Sequence, residues 1–191
     1  KNQKYSGYEI IVVCDTCTDA TEIIAKRFTK KIYKINKKNV SAARNYGAGK
    51  ATGDVLVFLD ADSVIASNLL FEIDKAIKKG YIGGVTKTKS LENIWKADFL
   101  WMLGNFFRHF FLAASGMLFC TTAAFPGFDE SRKLAEDTHL LLALKKKGKL
   151  KYITSSFVKT SSRRWEKEGY FRTIFWQFFA FFFKNEKGYG S

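Results

Sequence analysis

Thr52-Gly53-Asp54-Val55-Leu56-Val57-Phe58-Leu59-Asp60-Ala61-Asp62-Ser63 is the stretch that decides how this chain is read. A glycine turn leads into five consecutive apolar residues, Val55 to Leu59, which run straight into two carboxylates. An apolar run of this length between turn residues is the pattern of a strand buried on both faces. Helices cover the faces of such a strand, so its C-terminal end opens into the crevice where α/β proteins bind ligands. Asp60 and Asp62 stand at that end. Strand alternation would send both side chains the same way, toward one cation or one phosphate-bearing ligand. The plainer reading is a strand end carrying two solvated acids, and these residues alone leave both open.

Outward from this stretch, strands and helices alternate. On the N-terminal side, residues 8–13 read as the first strand and 31–35 as the second. Asp19-x-x-Glu22 reads as a capping box for a helix over 20–29. A helix over 39–50, with Ser41 near its start, brings Arg44 and Asn45 close to the strand ends. On the C-terminal side, Ser67 is the expected N-cap of a helix over 67–79, and 81–86 the next strand. The alternation predicts an α/β domain with a mixed, mostly parallel sheet flanked by helices. After Ser90 the pattern changes. Residues 91–112 are helical in composition but apolar on nearly every side, and Met117-Leu118-Phe119 enters a strand. Glu136 and Asp137 open a helix that closes on Lys145-Lys146-Lys147, an order that matches the helix dipole. Residues 150–158 form the last strand.

The 191 residues carry a net charge of +14 and 19 phenylalanines, most of them after residue 90. One domain of this length buries a real core, and the charge points to anionic partners: nucleic acid, acidic lipid or a polyphosphate substrate. Three cysteines are too few for a disulfide scaffold and suit a reducing compartment. No run reaches the ~20 apolar residues of a spanning helix, and no signal-peptide pattern opens the chain. The expected location is cytoplasmic, at the inner face of a membrane. Nucleic-acid binding is disfavoured, because the basic residues are dispersed and no recognition motif accompanies them.

Four segments, in order, resemble family 2 inverting glycosyltransferases. Glu9-Ile10-Ile11-Val12-Val13-Cys14-Asp15-Thr16-Cys17-Thr18-Asp19 is similar to that family's "EIIVVDDGSTD". Asn39 to Gly47, NVSAARNYG, is similar to "GLSAARNxG", and Ala51 to Asp62 to "ATGDxxxFLDAD" with its metal-binding DxD. Gly127-Phe128-Asp129-Glu130 followed by Glu136-Asp137-Thr138 is similar to "GGFDE…EDxDL".

The resemblance implies a GT-A (Rossmann-like, nucleotide-diphospho-sugar transferase) fold over residues 1–160 and a hexosyltransferase activity. It implies that Asp15 contacts the base or ribose of the donor and that Arg44 faces the nucleotide or its phosphates. Asp60 would bind ribose or metal, and Asp62 would ligate the Mg²⁺ or Mn²⁺ that bridges the diphosphate. Asp137 would be the general base on the acceptor hydroxyl, with Glu136 supporting it. The donor would be a UDP- or GDP-sugar and the acceptor a sugar or a lipid-linked molecule. Neutralising a poor leaving group while a base aligns the incoming hydroxyl is the chemistry such residues serve.

The chain also departs from the family pattern. The family opens with a "VSVIIPTYN" strand and a helix that are not found here, so the domain is expected to lack its first strand and helix. Cys14 stands for the first Asp of "VDD" and Cys17 for the Ser of "GSTD". Arg164-Trp165 echoes the "QxxRW" of processive synthases, with Ser161 at the Gln position, and Arg163 or Arg164 is expected to clamp the diphosphate.

Three other readings compete. Asp60-Ala61-Asp62-Ser63-Val64 also satisfies the nucleophile loop of a haloacid-dehalogenase-like phosphatase, which would use Asp60. Cys14-x-x-Cys17 between strand and helix stands where a redox pair would, and a zinc site would need ligands at a spacing that Cys120, His109 and His139 do not provide. Residues 161–191 form a basic, aromatic-rich segment, suited either to a helix in the membrane interface or to a core or oligomer helix. Without transfer chemistry the chain would be a membrane- or partner-binding module.

Overall fold

The computed structural model describes residues 2–92, 94–107, 114, 116–132, 134–163 and 169. The expectations for His109, Arg164, Trp165 and the aromatic run over 170–183 lie outside the described residues. Among the described residues, seven strands and five α-helices follow one another as β1 (Ile11–Asp15), α1 (Thr21–Ala25), β2 (Lys31–Ile35), α2 (Val40–Ala48), β3 (Val55–Leu59), β4 (Ser63–Ile65), α3 (Leu69–Lys78), β5 (Gly83–Ser90), α4 (Trp95–Phe107), β6 (Met117–Thr121), α5 (Glu136–Lys147) and β7 (Leu150–Thr160).

The main sheet has the order β3-β6-β5-β7-β4, and β1 pairs in parallel with β2 in a separate two-stranded sheet. β5 and β7 run in parallel, and β3 shares their direction because β6 lies antiparallel to both β3 and β5. The expected mixed sheet is present, with β6 and β4 as its reversed strands, but only its β5–β7 pairing is parallel among the described residues, where a mostly parallel sheet was expected. β4 was not anticipated. It arises because the chain turns back at once after β3, where the Ser63 amide donates to the Asp60 carbonyl at 3.0 Å, and then pairs antiparallel with β7.

Side-chain alternation on β6 explains where the core sits. Leu118 and Cys120 face Leu140, Leu141 and Leu144 of α5, together with Leu56 and Val85. Met117 and Phe119 face the other way, onto Leu69, Ile73 and Ala76 of α3 and Ile153 and Val158 of β7. A central strand that is apolar on both faces therefore holds two helices, one on each side of the sheet.

Local signals shift several boundaries. The first strand runs on to Asp15, and α1 spans only Thr21–Ala25. Asp19 accepts the Thr21 amide at 3.0 Å, but Glu22 turns to Lys26 and Lys34, so the capping box stays half-formed. α2 is capped by Asn39, whose side chain accepts the Ala42 amide at 3.0 Å, while Ser41 is fully buried inside the first turn. Asn68 rather than Ser67 precedes α3.

Candidate active site

α2 delivers the centre of the site. Arg44 projects from it between two distant carboxylates: Nη2 lies 2.7 Å from Asp60 Oδ1 and Nη1 lies 2.7 Å from Glu136 Oε1. The guanidinium carbon also sits 5.2 Å from the ring centroid of Phe128. The Arg44 side chain is 18% exposed, Glu136 14% and Asp60 40%, so the cluster opens to solvent on the Asp60 side. Burial works against the charge on Arg44. The carboxylates of Asp60, Glu136 and Asp137 outweigh it and raise the arginine's pKa.

Asp137 is the perturbed acid of the group. Burial, reinforced by the neighbouring Glu136 and by Asp60, pushes its carboxyl up to about 6, against the pull of Arg44 and of the Thr138 amide. That amide donates to Asp137 Oδ1 at 2.6 Å and so fixes the carboxylate at the first turn of α5. The helix is entered through Ala135 at φ 55°, a left-handed conformation that an alanine adopts at a cost of ~1–2 kcal/mol.

Asp60 and Asp62 lie in the turn that leads into β4, where strand alternation no longer applies. They have different partners: Asp60 reaches Arg44, and Asp62 accepts from the hydroxyls of Ser63 and Thr160, both at 3.4 Å. Asp62 has no ion pair among the described residues. Nor do three or more of the described His, Cys, Asp and Glu form a ready metal cage. The donor set is carboxylate oxygen alone, which suits a hard dication that keeps water and phosphate in its shell. The carboxylates of the cluster outnumber its one guanidinium, and a cation would relieve that surplus.

α2 also braces the loop that leads to Glu136. Asn45 Nδ2 donates to the Phe128 carbonyl at 2.9 Å, and the Phe128 amide donates to Asn45 Oδ1 at 2.7 Å. Asn39 Nδ2 donates to the Glu130 carbonyl at 2.8 Å. Gly127 enters this loop at φ 88°. The ARN and GFDE segments thus meet in space. Asn45 and Asn39 were not expected as site residues, although the adjacency of Asn45 to Arg44 was the available signal.

Two expected residues, Asp15 and Arg163, make contacts of a different kind. Asp15 accepts the backbone amides of Lys37, Lys38 and Asn39 at 2.8, 3.0 and 2.7 Å and ties β1 to the start of α2. Those amides, that of Asn39 first, hold its carboxyl down at about 2. Arg163 is exposed and donates to Ser161 Oγ at 3.0 Å. His139 lines a shallow cavity of about 550 Å³ on α5 with Leu142, Ala143, Lys145 and Lys146.

A further acid, Glu9, organises the approach to β3. Its Oε1 accepts the amides of Thr52 and Gly53 at 2.7 and 3.2 Å, and its other oxygen pairs with Lys31. Lys31, ahead of the Thr52 contacts, holds the Glu9 carboxyl down at about 2.

Residues 1–133 match the family described as "Glycosyl transferase family 2". The chain belongs to that family. Among relatives, it is 36% identical over 80 residues to glycosyltransferase GlyA of Streptococcus pneumoniae, an overlap of 39% of this chain and 12% of GlyA. It superposes on Staphylococcus aureus TarS 1–349 in complex with UDP-GlcNAc with a TM-score of 0.66 at 17% identity, over 82% of this chain and 51% of that one. The mannosyltransferase PcManGT of Pyrobaculum calidifontis, in complex with GDP-Man and Mn²⁺, gives a TM-score of 0.66 at 17% identity, over 84% and 50% of the two chains. The fold is the GT-A fold, and the chain spans about half of these structures and a small part of GlyA.

Proposed function

We propose that this chain transfers a sugar, with inversion, from a nucleoside-diphosphate donor to an acceptor hydroxyl, with a divalent cation at Asp62 and Asp60. The observation that carries the reading is the convergence of Asp60, Arg44, Glu136 and Asp137 on one point, with the Asp137 carboxyl at about 6. A base of that strength is ionised at neutral pH yet still takes a proton readily, as general-base catalysis requires. Inversion needs a single displacement at the sugar carbon, so no protein nucleophile is called for.

Each residue then has a task. Asp137 takes the acceptor's proton on its carboxylate. Glu136 and Arg44 bias its charge in opposite directions, the first raising and the second lowering its pKa. Asp62, exposed and without an ion-pair partner among the described residues, and Asp60 would hold Mn²⁺ or Mg²⁺, which would neutralise the leaving diphosphate. The TarS and PcManGT complexes support a UDP- or GDP-sugar as donor. Asp15 is proposed to act on the nucleotide side by fixing the segment that precedes α2, and Arg163 and Arg164 to meet the diphosphate.

The acceptor is proposed to be a sugar or a lipid-linked molecule reached at a membrane surface. Supporting this are the net charge of +14 and the exposed apolar face of α4, with Trp95, Phe99, Met102 and Phe106 each more than half exposed. None of the described helices is long and apolar enough to cross a membrane. A phosphatase using Asp60 is the weaker reading, because Asp60 Oδ1 is engaged by Arg44 and the family match points to glycosyl transfer.

Calorimetric titration of the chain with UDP and GDP, with and without Mn²⁺, tests the proposal. Nucleotide binding that requires the metal is the expected result. Failure of both nucleotides to bind at saturating Mn²⁺ would overturn it.

A further inference from the structure

We infer that Cys14 and Cys17 are a reversible redox pair that closes an intrachain disulfide by exchange with a low-molecular-weight disulfide such as glutathione disulfide. Cys14 is the buried penultimate residue of β1, and Cys17 lies exposed just beyond it. Between them Thr16 adopts φ 57°, and its amide still donates to the Ile35 carbonyl at 3.0 Å. The chain therefore turns back on itself directly after the strand. Both cysteines line one cavity of about 130 Å³ with Thr16, Asp19, Glu22, Lys34 and Ile35.

The surroundings favour a thiol pair over the alternatives. Among the described residues no three His, Cys, Asp or Glu side chains could together hold a metal. Cys120 is fully buried in the cluster against α5 and takes no part. Burial first, then Cys17 and Glu22, raise the pKa of the Cys14 thiol, and Lys34 pulls against them, which leaves the exposed Cys17 as the thiol that reacts first.

The difference in exposure sets the order of steps. Cys17 gives its proton to solvent, and its thiolate attacks one sulfur of glutathione disulfide. The S–S bond of the reagent breaks, and one glutathione leaves as a thiolate that takes up a proton. Cys14, deprotonated in turn, attacks the Cys17 sulfur of the mixed disulfide and expels the second glutathione. Two protein thiols are thereby oxidised to one disulfide, and one glutathione disulfide is reduced to two thiols. The pair flanks Asp15, whose carboxylate fixes residues 37–39, so the bond would form at the root of the segment leading to Arg44. Its formation does not depend on the proposed transfer activity.

The test is intact mass and peptide mapping after equilibration of the folded chain with glutathione disulfide in excess over glutathione, followed by alkylation in denaturant. The expected outcome is a single alkylated cysteine, Cys120, a peptide link between Cys14 and Cys17, and full reversal by dithiothreitol. Cys17→Ser should remove the link, and Cys14→Ser should stop at a glutathione adduct on Cys17. Three alkylated cysteines in the equilibrated wild-type chain, or a link that involves Cys120 or joins two chains, would overturn the inference.

Discussion

Arg44 Nη2 lies 2.7 Å from Asp60 Oδ1, so the turn after β3 and the helix α2 are locked together at the mouth of the site. The same guanidinium holds Glu136 at an equal distance with its other nitrogen. Removing it in Arg44→Ala strands three acids on one spot. The expected cost is about 3 kcal/mol, the range for breaking a largely buried ion pair, read as a fall in urea midpoint at unchanged slope. Arg44→Lys keeps the charge but offers one point donor in place of a fork, and should recover only part of the loss.

Transfer should titrate with Asp137. As the base must be ionised, the rate is expected to fall about tenfold per pH unit below about 6, followed by donor consumption at saturating donor. Arg44 pulls this pKa down, so Arg44→Lys, with its weaker hold, should move the inflection upward. Asp137→Asn should abolish transfer and spare donor binding. An acid whose folded pKa is raised binds its proton more tightly when folded, so its contribution to stability falls as pH rises from about 4 to 6. Above that window Asp137→Asn should be slightly more stable than wild type.

Asp62 should separate binding from folding. It is exposed and contacts only hydroxyls, so Asp62→Ala should change stability by less than about 0.5 kcal/mol. The same change is expected to remove the Mn²⁺-dependent part of nucleotide binding, measured by titration with and without the metal.

The loop before α5 depends on one amide side chain. Asn45→Ala leaves both the amide and the carbonyl of Phe128 without their partner, at an expected cost of about 2 kcal/mol. Because the loop carries the chain on to Glu136 and Asp137, the turnover number should fall more than donor affinity. Gly127→Ala, at φ 88°, should cost about 1 kcal/mol by thermal melting.

Glu9 should make the fold sensitive to acid. Its folded pKa of about 2 lies below the ordinary 4.5, so its stabilisation is complete above about 4.5 and is lost as pH falls toward 2. Glu9→Gln should therefore be less stable than wild type at neutral pH, by about 1 kcal/mol. The gap should narrow through that window, as followed by urea denaturation at several pH values.

Much of this was legible in the sequence because it is local. The apolar run before Asp60 announced a strand, and β3 forms where expected, from Val55 to Leu59, but among the described residues it is the edge of the five-stranded sheet, and only Leu56 of it is buried rather than both its faces. The acid-first, base-last order of 136–147 announced α5. What the residues hid is pairing across sequence distance. Nothing near Arg44 indicates that its fork spans Asp60 and Glu136, because both lie on other elements. The separate partners of Asp60 and Asp62 were hidden for a related reason: a turn set by one backbone hydrogen bond replaces the strand geometry assumed for them. The cap of α2 was hidden as well: the Asn39 side chain reaches both the Ala42 amide and the Glu130 carbonyl, and the latter lies far away in sequence.

The two sheets differ in how they are bound to the rest of the molecule. Among the described residues no backbone hydrogen bond joins β1 or β2 to the five-stranded sheet. The links are side chains: Glu9 to the turn before β3, and Asp15 to the segment that becomes α2. A layer attached in this way can open on its own while the larger sheet stays closed. Amide hydrogens of β1 and β2 would then exchange as one early unit, and those of β5, β6 and β7 as a later one. That layer would have a local stability of its own, to which the carboxylates of Glu9 and Asp15 contribute.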